Sequence, residues 1–374
     1  MKKNLFMTAA AIAALLTGCS TDEEIANIET SAKNAIGFNI VSNGAETKAT
    51  IHNNGSTNFD FDVFAFNSTT GTLFMGDKEG MDGVQIKHSE TTGWNYATPS
   101  ERAYWPTNNL DFYAVSPSMD SFEQHTNGNF LYSINSENQT ISYSIADEFG
   151  EKPGFKNIDV MYAVAKDQGK DTNNGVVQLK FKHILSQVLF NAKVQYASMK
   201  VTIKSMRIHN FAVGGIFTFP TTGEAAQANW TSTKAKTIKT VKNANTAQVV
   251  ANSVNTPVDI TDANNPMLFI PQTLTAWNTS ISKEEADKDV NNYQSYLEVT
   301  CEIEQNEATV HNGALYIPFG AEWQPGKRYI YTLIFGGGYD NQGKPILTPI
   351  TFEPTVEPWE DASGYTPDVP AYTN

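Results

Sequence analysis

Leu297-Glu298-Val299-Thr300-Cys301-Glu302-Ile303 is the stretch that decides how this chain is to be read. Apolar and polar residues alternate along it, which is the period of a strand with one buried face and one wet face. Cys301 falls on the apolar face and is expected to be a buried core thiol rather than a reactive one. The same period recurs on either side. Val188, Phe190, Ala192 and Val194 alternate with Leu189, Asn191 and Lys193. Tyr329, Tyr331, Leu333 and Phe335 alternate again before Gly336-Gly337-Gly338 releases the chain. Phe59, Phe61 and Val63 alternate with Asp60 and Asp62, so a wet face carrying both carboxylates is expected there. From Lys200 to Ile208 the phase slips, with Val201 and Ile203 followed by Met206 and Ile208, the signature of a β-bulge. The loop Asp340–Gly343 is expected to lead into a strand at Ile346–Phe352. Only Ser282–Val290 reads as a short polar helix or a long loop.

Short strands at regular spacing, punctuated by Gly, Asn, Asp and Thr, define an all-β chain of sandwich type rather than a parallel sheet. At 374 residues, two domains of ordinary size are the default. Asp167-Gln168-Gly169-Lys170-Asp171-Thr172-Asn173-Asn174-Gly175 is the most polar internal stretch and marks the expected boundary. An N-terminal sandwich then spans 35–175, and a C-terminal sandwich with its tail spans 176–374. The formal charge of −14, from 26 basic and 40 acidic residues, argues against nucleic acid and against adhesion to anionic lipid. It suits a soluble, self-repelling surface protein.

The N-terminus reads as an export signal over 1–18. Lys2 and Lys3 supply its positive region, and Leu5–Leu16 supplies an apolar run of about a dozen residues, short of the ~20 a permanent membrane span needs. Leu16-Thr17-Gly18-Cys19 resembles the lipobox of bacterial lipoproteins, which makes Cys19 the expected lipidation site, carrying palmitate-type chains. Residues 19–34 then form an acidic linker. Its opening, Ser20-Thr21-Asp22-Glu23-Glu24, is similar to a lipoprotein surface-export signal, which implies display at the cell outer membrane. With Cys19 assigned to lipid, the only other cysteine, Cys301, has no partner in the chain.

Catalytic signatures are absent from the sequence: there is no Gly-x-Ser-x-Gly elbow, His-Glu-x-x-His helix, phosphate-binding loop or Cys-x-x-Cys pair. No cofactor or metal is expected. The six histidines are scattered, and His183 reads as structural. Asp171–Gly175 resembles the opening of a calcium loop, but Lys182 stands where the distal bidentate Glu belongs, so it is read as a turn. Six tryptophans could build a sugar platform, although Trp105, Trp323 and Trp359 sit in strand-like contexts that favour packing. A non-polymerising, glycan-binding surface lipoprotein is therefore the alternative reading. A hydrolase using carboxylates paired only in space is a remoter third.

Several segments together resemble the fimbrillin family of type V pilus subunits. They are Thr47-Lys48-Ala49-Thr50, Tyr104-Trp105-Pro106 with Leu110–Ala114 and Ser116-Pro117, and Asp159–Ala163. Phe181–Val188, Met267–Gln272, Trp323–Tyr329 and Val356–Trp359 follow in the family's order. The resemblance implies two transthyretin-like β-sandwich domains in tandem, a lipoprotein precursor, and non-enzymatic assembly with other fimbrial subunits, as stalk, tip or accessory component, contributing to adhesion.

In fimbrillins resembling this one, a trypsin-like protease cuts after a basic residue and frees the first strand. Here Ile36, Phe38 and Ile40 alternate with Gly37 and Asn39 ahead of Lys48, so 35–48 is the segment expected to be removable. Cleavage is expected between Lys48 and Ala49, with a strand from a neighbouring subunit filling the gap by β-augmentation. Lysine stands where the family more commonly has arginine, so an arginine-specific protease would not serve. The tail beyond Trp359 carries Pro367 and Pro370, which fit poorly in a paired strand.

Overall fold

The computed structural model describes residues 34–40, 60–120 apart from 90 and 92, 129–145, and 159–358 apart from 222–224, 234–237, 243–247, 262–266, 289–292, 337–341 and 343–350. Cys19, Lys48, Ala49, Phe59, Trp359 and the loop and strand expected between Asp340 and Ile350 lie outside the described residues, Gln342 excepted.

The protein is almost entirely β. A central antiparallel sheet runs in the order Lys182–His183, Met161–Gln168, Leu110–Ser116, Asp60–Asn67, Val84–Ser89, Gly93–Tyr96, with Leu73–Met75 also paired to Asp60–Asn67. On one face of this sheet, Phe61, Val63, Phe112, Ala114 and Met161 pack against Ile36, Phe38, Val177, Leu179 and Phe181. On the other, Phe64, Phe66, Tyr113, Val115 and Tyr162 enter a second, larger core. That core is closed by a four-stranded sheet in the order Trp230–Thr233, Gly214–Thr218, Gln139–Ser144, Asn129–Ile134. Strands from both sides of the polar stretch 167–175 thus share one sheet.

Two further sheets carry the C-terminal half. In one, Ser186–Val194 runs parallel to Lys327–Phe335, and Thr351–Pro358 forms the outer antiparallel strand. In the other, Met199–His209 pairs with Gln294–Gln305, which in turn pairs with Ala308–Pro318. Leu297, Val299, Cys301 and Ile303 are fully buried, as their alternation requires. The expected bulge is present, since the register of Met199–His209 shifts between Ile203 and Ser205. The polar segment at 282 forms one short helix, Lys283–Ala286, capped by the Ser282 hydroxyl accepting from the Glu285 N–H at 3.3 Å.

The wet face expected for Asp60 and Asp62 is corrected by the fold, because both carboxylates are buried. The strand that bears them is covered on both sides, and each carboxylate is held by donors from the segment that follows Ser116. The Ser118 hydroxyl donates to Asp60 Oδ2 at 3.0 Å. The Tyr132 hydroxyl and the Met119 N–H donate to Asp62 Oδ2 at 2.6 and 2.7 Å. Burial pushes the Asp62 carboxyl up to about 7 despite these bonds, with Asp60 and Asp120 adding like-charge repulsion.

Candidate assembly site

The N-terminal strand Gly37–Ile40 lies parallel to Val176–Leu179, with Gly37 opposite Val176 and Ile40 opposite Leu179. Its entry is held from the other side by antiparallel bonds. Ile36 N–H donates to the Ala103 carbonyl at 3.0 Å, and Trp105 N–H donates to the Asn34 carbonyl at 2.8 Å. The strand is therefore gripped between Ala103–Trp105 and Val176–Leu179, and it is paired with no other described strand.

Alternation sets what the strand buries. Ile36 and Phe38 are 1% and 6% exposed, while Gly37 and Asn39 look outward. The Phe38 ring meets Phe61, Tyr96 and Phe112, each edge-on, with centroids 5.9–6.2 Å apart. Gly37 fits because even a methyl group there would come to 3.3 Å from Val176. Two polar bonds fix the register. The Tyr96 hydroxyl donates to the Ile36 carbonyl at 3.1 Å, and Asn39 Nδ2 donates to Gln178 Oε1 at 3.0 Å. Burial pushes the Tyr96 phenol up to about 12, so it stays a donor throughout the physiological range.

The strand Val176–Leu179 is entered from the turn whose sequence resembles the opening of a calcium loop. Thr172–Gly175 is a tight turn in which Asn173 and Asn174 are left-handed, and Gly175 follows at φ 77°. Trp105 Nε1 donates to the Gly175 carbonyl at 3.0 Å, which ties this turn to the segment that grips the first strand. With the strand removed, the groove would present Phe61, Tyr96, Trp105, Phe112 and Leu179 beside the unpaired backbone edge of Val176–Leu179. That combination of apolar pockets and free ladder groups is what an incoming β-strand needs.

The remaining sequence-derived residues take structural places. His183 Nδ1 lies 2.5 Å from Asp159 Oδ2, both buried, in the structural role expected of it. Trp323 is fully buried, with Nε1 donating to the Tyr331 hydroxyl at 3.0 Å, and Trp105 packs edge-on against Phe112. Every tryptophan among the described residues is buried or half-buried. Among the described residues no cluster of His, Cys, Asp or Glu converges on a metal site, and no helix is long and apolar enough to cross a membrane. Sequence reasoning placed the first strand and missed its partner, Val176–Leu179, because parallel pairing across so long a separation leaves no local pattern. The hydrophobic doublet Val176-Val177 and Leu179 were the available signal.

The chain is almost all β, and its first strand completes an apolar groove. A family profile described as fimbrillin-like matches residues 47–359, most of the chain, and the protein belongs to that family. Membership supports a structural, fimbrial role. No curated protein matches the chain in sequence. Among solved structures, a fimbrial protein from Bacteroides vulgatus shares 17% identity at a TM-score of 0.59, covering 87% of this chain and 99% of that one. The tip fimbrial protein Mfa3 from Porphyromonas gingivalis, with a C-terminal truncation, aligns at 10% identity and a TM-score of 0.36, covering 80% and 94%.

Proposed function

We propose that this protein is a subunit of cell-surface fimbriae, exported as a lipoprotein anchored through Cys19, processed between Lys48 and Ala49, and polymerised by strand replacement. The observation that carries the reading is the placement of Gly37–Ile40. It fills an apolar groove through a single parallel partner and lies just N-terminal to the basic residue. Burying Ile36 and Phe38 contributes ~1.5–3 kcal/mol each before the entropy of ordering the segment is counted. Cleavage separates the body from both the lipid and the first strand. A neighbour's strand then recovers that burial in the same groove. Exported fimbriae would contribute to adhesion, and the subunit serves as stalk, tip or accessory component.

The glycan-binding alternative has less support, because each tryptophan of the described residues is buried or half-buried. Mass spectrometry of the N-terminus of surface-sheared protein tests the proposal. Assembled material is expected to begin at Ala49, with lipidated Cys19 found only on unassembled precursor. Assembled subunits that all retain a lipidated Cys19 would overturn it.

A further inference from the structure

The longest open sheet edge among the described residues is Ala308–Pro318, whose only strand partner is Gln294–Gln305. Open edges are normally blunted by charge, proline or a bulge, since their unpaired N–H and C=O groups invite another chain. Two other edges of this protein follow that rule, while the uncharged edges Asn129–Ile134, Trp230–Thr233 and Gly93–Tyr96 are short. Thr351–Pro358 carries Glu353, Pro354, Glu357 and Pro358, and Ile238–Lys242 carries Lys239 and Lys242. Ala308–Pro318 contains no Asp, Glu, Lys or Arg, and its single proline is its last residue.

Its register is regular from His311 to Pro318, opposite Ile303 back to Tyr296, and only Val310 is set out as a bulge near the hairpin tip. The charges of the adjoining strands are committed to one another. Lys200 lies 2.9 Å from Glu304, Lys204 lies 3.5 Å from Glu302, and Arg207 lies 3.6 Å from Glu298.

We propose that this edge pairs antiparallel with the same edge of a second copy of the chain, about a two-fold axis within His311–Pro318. The occupant follows from charge. A chain of net charge −14 repels its own copies wherever its charged surfaces meet. An edge strand with no formal charge is where two copies can approach without that repulsion. A two-fold axis sets the segment against itself, so no complementary charge is needed on the partner. A partner of opposite charge would leave its signature as acidic or basic residues on this strand, and there are none. The pairing uses neither the N-terminal groove nor processing, so it stands or falls separately from the fimbrial reading.

The test is disulfide trapping on intact cells producing the full chain. Asn312→Cys, Ala314→Cys and Tyr316→Cys are made singly, and Thr355→Cys serves as a control on the proline-guarded edge. Parent chain under the same oxidant sets the background from Cys19 and Cys301. At least one of the three is expected to give a disulfide dimer at tenfold or more over parent and control. Protease resistance equal to that of the parent confirms folding of each variant used. Background yield from all three, equal yield from the Thr355→Cys control, or a different protein in the trapped band would overturn the proposal.

Discussion

Replacing Phe38 by alanine probes whether the first strand is a detachable part. The ring is 6% exposed and sits among Phe61, Tyr96 and Phe112. Deleting such a ring removes its transfer free energy and leaves a cavity, together about 3–5 kcal/mol. If the strand docks as its own unit, the loss falls on the docking equilibrium and not on global stability. At about 1.4 kcal/mol per tenfold, undocked molecules then increase on the order of a hundredfold or more, up to the strand's whole docking free energy. Hydrogen exchange read peptide by peptide is the assay. Amides of 36–40 and of Val176–Leu179 are expected to exchange on the order of a hundredfold faster. Those of Gln294–Gln305, in the other core, keep the parent's protection. A uniform loss of protection across both regions would refute the reasoning, since the strand would then be an inseparable part of one cooperative fold.

Asp62→Asn tests the buried carboxyl. With its folded value raised to about 7 from 3.8, the folded state holds the proton more tightly than the unfolded one. The parent therefore loses stability as pH rises from about 4 to about 7, by up to roughly 4 kcal/mol, and is flat above that window. Urea unfolding at pH 5 and pH 8 is expected to show the parent weaker at pH 8 and the variant indifferent to pH. Cys301 is fully buried, and burial pushes its thiol up to about 12, so maleimide at pH 8 should label it only after denaturant is added. His183→Ala leaves the buried Asp159 without its imidazole at 2.5 Å and is expected to lower unfolding stability by about 3–5 kcal/mol. Gln is the milder substitution there.

Strands with one packed face were legible because burial is written directly into their period. Leu297 to Ile303 and Tyr329 to Phe335 show this, as does the bulge after Ile203, which advertised itself as a slipped phase. Asp60 and Asp62 misled for the same reason. Alternation reports that two faces differ, and a buried carboxylate ringed by Ser118, Met119 and Tyr132 alternates like a solvated one. Long-range pairings were hidden altogether. Nothing local in Gln139–Ser144 indicates that it will pair with Gly214–Thr218, nor in Gly37–Ile40 that its partner is Val176–Leu179. The candidate site was thus half visible: its strand could be read from the sequence, but its groove could not.

Refilling of the groove is the central step of the proposed assembly, and the amides of Val176–Leu179 report it directly. In fimbriae whose subunits begin at Ala49, these amides are expected to be as protected from exchange as in the intact precursor, although residues 37–40 are gone. Rapid exchange there, or fimbriae in which 37–40 is still present and protected, would contradict replacement of the first strand by a neighbour's.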